Sequence, residues 1–139
     1  MKQNYRKTIR LKEYDYKSNG YYFVTIVTKN REKLLRNQEE LLEKELNEVK
    51  QQISGLEIDY KVIMSNHIHI IFILENCAKQ LGEIVRRFKA KVSHSMQQNI
   101  WEANYYEHVI RNEQALEKIR EYIINNPLAE TLKFEEFYK

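Results

Sequence analysis

The stretch Ile58-Asp59-Tyr60-Lys61-Val62-Ile63-Met64-Ser65-Asn66-His67-Ile68-His69-Ile70-Ile71-Phe72-Ile73-Leu74 decides the fold. Its first half alternates, with Ile58, Tyr60, Val62 and Met64 on one face and Asp59 and Lys61 on the other, as a half-buried strand does. Ser65-Asn66 suits a tight turn, so a second strand from His67 to Leu74 returns as the partner of a hairpin. On that strand Ile68, Ile70, Phe72 and Leu74 share one face, and His67 and His69 project side by side from the other.

Working outward, Tyr21 to Thr28 is aromatic and β-branched throughout and reads as a central strand, with Gly20 as the turn residue before it. Asn37 with Glu40 three residues later predicts a capped helix start. Leu42, Leu46, Val49 and Ile53 then form one apolar stripe, which Gly55 ends. Leu81, Ile84, Val85, Phe88 and Val92 mark a second amphipathic helix. A short strand is expected around Tyr105 to Ile110. Asn112 then caps a last helix through Leu116, Ile119 and Ile123, which Pro127 terminates. The first six elements follow the ferredoxin-like βαββαβ plan, an α+β fold whose antiparallel sheet carries two helices on one face. The histidine face continues as Ile71 and Ile73, so it too needs a cover, either the extra C-terminal helix or a partner subunit.

Composition sets the bounds. A chain of 139 residues with 42% apolar residues, three glycines and one proline is one globular domain, taken here as residues 1–139. A single cysteine, Cys77, excludes an internal disulfide and a cysteine zinc cluster and fits a reducing cytoplasm. No segment has the length of a membrane span or the apolar core of a signal peptide, so a cytoplasmic protein with no membrane partner is expected. The net charge of +3 is too balanced to identify a polyanionic partner. Its distribution says more. Lys2, Arg6, Lys7, Arg10, Lys12 and Lys17 crowd the N-terminus, and Arg86, Arg87, Lys89 and Lys91 form a second group. Either group could contact phosphates, or simply be a solvated surface.

Two side-by-side imidazoles can chelate a divalent ion and leave positions for water or a phosphate oxygen. Strand histidines are also ordinary packing residues, and His-x-His alone does not choose between the two. On the last helix Tyr122 falls at the edge of the apolar stripe, with Asn126 one turn on. A phenol there is usually a packing residue. With a pKa of roughly 10 it becomes a useful nucleophile only with help from a cation or base.

Taken together, these segments resemble the IS200-like single-tyrosine (HUH-type) transposases, especially those associated with repetitive extragenic palindromes (REP). The resemblance rests on Ile9 to Tyr16 leading into Gly20 to Thr25, on Met64 to His69, on the helix around Phe88-Lys89, and on His108 to Glu113 continuing to Tyr122-Ile123-Ile124-Asn125-Asn126-Pro127. It implies a ferredoxin-like nuclease that binds Mg²⁺ or Mn²⁺ through His67 and His69, with Asn126 matching a third ligand. Tyr122 would attack single-stranded DNA to give a 5′-phosphotyrosyl link and a free 3′-hydroxyl. The implied partner is single-stranded or hairpin DNA, with Lys7, Arg10, Lys12, Arg86, Arg87, Lys89 and Lys91 as candidate contacts. A homodimer, in which one tyrosine helix serves the partner's histidines, is an arrangement the resemblance allows. The chain departs from the pattern at Ser65, where many relatives have proline, and stops 12 residues after Pro127, short of the extension some relatives carry. Asn126 precedes a proline, which disfavours helical geometry at the ligand position. A relaxase-like nickase would share the same residues. A non-catalytic nucleic-acid-binding module on this fold would instead present exposed aromatics such as Tyr21 and Phe23 on its central strands.

Overall fold

A computed structural model describes residues 19–126 and 133–138. The elements run β1 (Gly20–Val27), α1 (Glu39–Gln52), β2 (Leu56–Ile63), β3 (His67–Leu74), α2 (Leu81–Met96), β4 (Tyr106–Ile110) and α3 (Glu113–Asn125). Short 3₁₀ turns lie at Lys29–Arg31 and Phe134–Tyr138. The four strands form one sheet in the order β2-β3-β1-β4, each neighbour antiparallel. This is the α+β, ferredoxin-like arrangement expected from the hydrophobic pattern, with a third helix added.

Both faces of the sheet are covered. Tyr22, Val24 and Ile26 of β1 and Ile68, Ile70, Phe72 and Leu74 of β3 pack against Leu42, Leu46 and Val49 of α1 and Ile84, Val85, Phe88 and Val92 of α2. The opposite face carries a smaller core, in which Phe23 and Ile71 meet Ala115, Leu116, Ile119 and Ile123 of α3 and Phe134 of the C-terminal turn. Of the apolar continuation of the histidine face, Ile71 is thus buried beneath the extra helix, the first of the two covers that its chemistry allowed, while Ile73 is only partly buried.

The central strands pair in full register: Thr25 lies opposite His69 and Val27 opposite His67. The β2–β3 hairpin closes over Ser65-Asn66, with Met64 N donating to His67 O at 2.8 Å. Asn112 caps α3 as expected, its side chain accepting from Ala115 N at 2.8 Å.

Local departures have clear causes. A bulge between Ile58 and Tyr60 shifts the β2 register, so Ile58 packs into the larger core while Tyr60 and Val62 face α3. The single alternating face expected from Ile58 to Met64 is therefore split. Helix α1 starts at Glu39 behind Gln38, whose side chain makes no capping bond; Asn37 instead takes a left-handed turn at φ 63°. The same helix stops at Gln52, three residues before Gly55. That glycine sits at φ 86° where the chain enters β2, and its carbonyl accepts from Glu75 N at 2.9 Å. Among the described residues no helix is long and apolar enough to cross a membrane.

Candidate active site

The two histidines sit at one end of β3, each 1% exposed, their ring centroids 4.8 Å apart. Strand periodicity turns both toward the α3 side, and each ring is held through Nδ1. His67 Nδ1 lies 2.7 Å from Asn66 Oδ1. His69 Nδ1 lies 2.9 Å from the hydroxyl of Thr25, its cross-strand neighbour. Phe23 stacks against the His69 ring at 5.3 Å. With both Nδ1 atoms engaged inside the protein, Nε2 is the nitrogen of each ring through which a metal could be held, and holding a ring by its second nitrogen is how a ligating histidine is oriented.

Among the described residues no group of three His, Cys, Asp or Glu could hold a metal ion. Among the described residues the donors placed side by side are the two imidazole nitrogens, which oxygen ligands would have to complete. Such an open set suits a hard or borderline divalent ion that keeps room for a phosphate oxygen.

Tyr122 is half-buried on α3, at the margin of the core that also contains Phe23, and its ring lies 5.5 Å from that of Phe137. Asn126 follows the last turn of α3. Its backbone N–H and Nδ2 both donate to the Tyr122 carbonyl, at 2.8 Å and 3.1 Å. It leaves helical geometry at φ −137°, ψ 58°, as a residue before proline should.

The basic residues of α2 do not form one open patch. Arg86 and Arg87 both reach Glu83, at 2.7 Å and 2.8 Å, and hold its carboxyl down to about 2. Lys91 bridges to Glu48 of α1 at 3.1 Å. Lys89 Nζ donates to the backbone carbonyl of Glu102 at 2.8 Å, and burial lowers its pKa. Acids three and four positions away along a helix, and on the neighbouring helix, are invisible when only the cationic run is counted. Lys7, Arg10 and Lys12 lie outside the described residues.

One buried histidine is given no role of its own in the sequence reading. His108 of β4 is 1% exposed, stacks on Phe134 at 3.9 Å and lies 2.7 Å from the Tyr138 hydroxyl. Burial, assisted by the Arg111 charge, pushes its pKa down to about 3, so it is neutral. Its alternation with Ile110 was the available signal, since that places it on the α3 face opposite Phe23.

The family model for IS200-like transposases matches residues 16–126. The chain belongs to this family. It is 38% identical to an uncharacterized protein of Haemophilus influenzae (strain Rd) over 90% of this chain and 89% of that one. It is also 30% identical to the REP-associated tyrosine transposase of Escherichia coli K12, covering 81% of this chain and 69% of the other. Among solved structures, a REP-associated tyrosine transposase bound to a REP hairpin superposes with a TM-score of 0.74 at 27% identity, over 86% of this chain and 73% of that one. A Deinococcus radiodurans R1 protein solved as a candidate transposase shares the fold at a TM-score of 0.58 and 21% identity, over 85% and 97% of the two chains. The IS200-like family is one of DNA transposases, enzymes that move DNA by breaking and rejoining strands, and their chemistry depends on a metal ion.

Proposed function

We propose that this transposase cuts single-stranded DNA by a metal-assisted attack of Tyr122 on a phosphodiester. The observation that carries the reading is the buried His67–His69 pair, each ring fixed through Nδ1, on the face against which the tyrosine helix packs. Mg²⁺ or Mn²⁺ would be held by Nε2 of His67 and His69, with the Asn126 side-chain oxygen as the ligand from α3. When bound, the ion draws charge from the non-bridging oxygens of the scissile phosphate.

The Tyr122 phenol oxygen forms a bond to phosphorus as it gives up its proton to solvent, and the bond from phosphorus to the 3′ oxygen breaks. The 3′ oxygen leaves and takes up a proton. The products are a 5′-phosphotyrosine and a free 3′-hydroxyl, with the phosphodiester count unchanged. A 3′-hydroxyl from another strand can therefore reverse the step and complete transfer without a further energy source.

Hairpin DNA is the substrate class we favour, because the REP-associated relative was solved on a REP hairpin. Exposed Arg86, together with Lys7, Arg10 and Lys12, is proposed to hold the backbone by charge. A non-catalytic module that reads bases on an open sheet is disfavoured: Phe23 is fully buried and Tyr21 packs against the α3 core. The test is strand cutting. End-labelled single-stranded hairpin DNA from beside the gene should be nicked by the wild-type protein with Mn²⁺. It should survive with His67→Ala or His69→Ala. Metal-independent cutting, or full activity in both variants, would contradict the proposal.

A further inference from the structure

We infer that Asn66 is a positioning residue: its side-chain carbonyl holds His67 in the tautomer that carries hydrogen on Nδ1 and presents the Nε2 lone pair. The inference deepens the proposed metal-holding role of the histidine pair and, in its functional consequence, rests on it.

The orientation of the Asn66 amide decides the tautomer. Nδ2 of Asn66 donates to the carbonyl of Arg31 at 3.3 Å, an atom that can only accept. Oδ1 therefore faces the ring, 2.7 Å from His67 Nδ1. A carbonyl oxygen cannot donate, so the hydrogen between them belongs to His67 Nδ1. The neutral ring then has its lone pair on Nε2. Turning the amide over would set NH₂ against the ring and bring Oδ1 up to the Arg31 carbonyl, losing that bond.

The surroundings hold Asn66 in this pose. Its own carbonyl accepts from Thr28 N at 3.1 Å, and the neighbouring Ser65 carbonyl accepts from Leu35 N at 2.8 Å. The Arg31 carbonyl is aimed by an uncommon backbone. Asn30 and Arg31 are both left-handed, at φ 52° and 54°, and an arginine there costs about 1 kcal/mol or more. Two contacts keep it in place: Arg31 N donates to Thr28 O at 3.1 Å, and its guanidinium bridges to Glu102 at 3.2 Å. Strain is concentrated where a main-chain acceptor meets the side chain that orients His67. Thr25 holds His69 differently, because a hydroxyl can donate or accept and so leaves that ring's tautomer open.

The experiment uses the whole, metal-free protein at about pH 8, where an ordinary histidine is neutral, and reads each imidazole tautomer from its long-range ¹⁵N–¹H correlations. In the wild type, His67 should carry hydrogen on Nδ1. Asn66→Leu should move it toward the Nε2–H form, with His69 as an internal control. Asn66→Asp, which keeps an acceptor beside Nδ1, should retain the wild-type pattern. Titration with Mn²⁺ alone should then show affinity about 10- to 100-fold weaker in Asn66→Leu. An Nε2–H His67 in the wild type, or a pattern unchanged by Asn66→Leu, overturns the inference. If the tautomers behave as expected but wild-type protein takes up no Mn²⁺, the metal reading of the pair fails while the hold of Asn66 on the ring stands.

Discussion

Arg120 grips Asp59 with two side-chain nitrogens, Nε at 2.9 Å and Nη2 at 2.5 Å, and so ties the tyrosine helix to the bulge of β2. The bulge is what lets this happen: the shift of register between Ile58 and Tyr60 brings Tyr60, and with it this stretch of the strand, to face α3. Arg120 is about one-third exposed and Asp59 largely covered, so solvent screens the pair in part. A double-mutant cycle of Arg120→Met and Asp59→Asn should give a coupling of about 1 kcal/mol in urea unfolding. Strand cutting should fall in either single variant, because Tyr122 lies two residues beyond Arg120. Zero coupling would show that the fork does not anchor the helix.

Gly55 should tolerate no side chain. At φ 86° a Cβ would lie 2.4 Å from the Glu75 carbonyl oxygen and 2.7 Å from Cys77 Cα, both backbone atoms. Gly55→Ala is expected to cost about 2 kcal/mol, from left-handed strain and the forced parting of β2 from the end of β3. A urea midpoint equal to the wild type would contradict this close approach.

His108 predicts a specific acid sensitivity. Its folded pKa of about 3 lies below the ordinary value of 6.5. Between the two the unfolded chain binds the extra proton, so stability is complete above about pH 6.5 and falls as the pH drops toward 3. The loss should amount to a few kcal/mol and be felt first where Tyr138 and Phe134 dock on the ring. Melting temperatures from pH 7 to 4 should fall more steeply in the wild type than in His108→Gln. Parallel slopes would remove His108 as the cause.

Lys89 should behave as a structural residue. Its ammonium serves the Glu102 carbonyl, with Asn104 O further off at 3.5 Å. Lys89→Met should cost about 1–3 kcal/mol of stability. It should leave the dependence of single-strand affinity on log salt unchanged, whereas losing one phosphate contact lowers that slope by about 0.7. A drop of that size would instead place Lys89 on the DNA.

Much of this architecture was readable in the chain because each central element has one strong period. Tyr21 to Thr28 and His67 to Leu74 are too β-branched and aromatic for anything but inner strands, and their alternation put the two histidines on one face. Asn112 announced its cap. The Asp59 bulge was hidden, because an alternation count assumes that no residue is inserted, and only the partner strand reveals the shift. Asn37 carried a capping signature, but asparagine is equally at home in a left-handed turn. The docking of the Phe134–Tyr138 turn on His108 depends on contacts between residues far apart in the chain, 30 apart for His108 and Tyr138, which no local period encodes. Of the site, the His67–His69 pair was legible; the support from Asn66 and Thr25 was not, since it depends on which atoms of adjacent side chains meet.

The most direct test of the account is covalent trapping. Labelled single-stranded hairpin DNA is incubated with Mn²⁺ and wild-type protein, and the denaturation-resistant adduct is digested and mapped by mass spectrometry. The account predicts a nucleotide on Tyr122 linked through its 5′-phosphate, formed only with metal and lost in Tyr122→Phe. An adduct on any other residue, or one that persists in Tyr122→Phe, would contradict it.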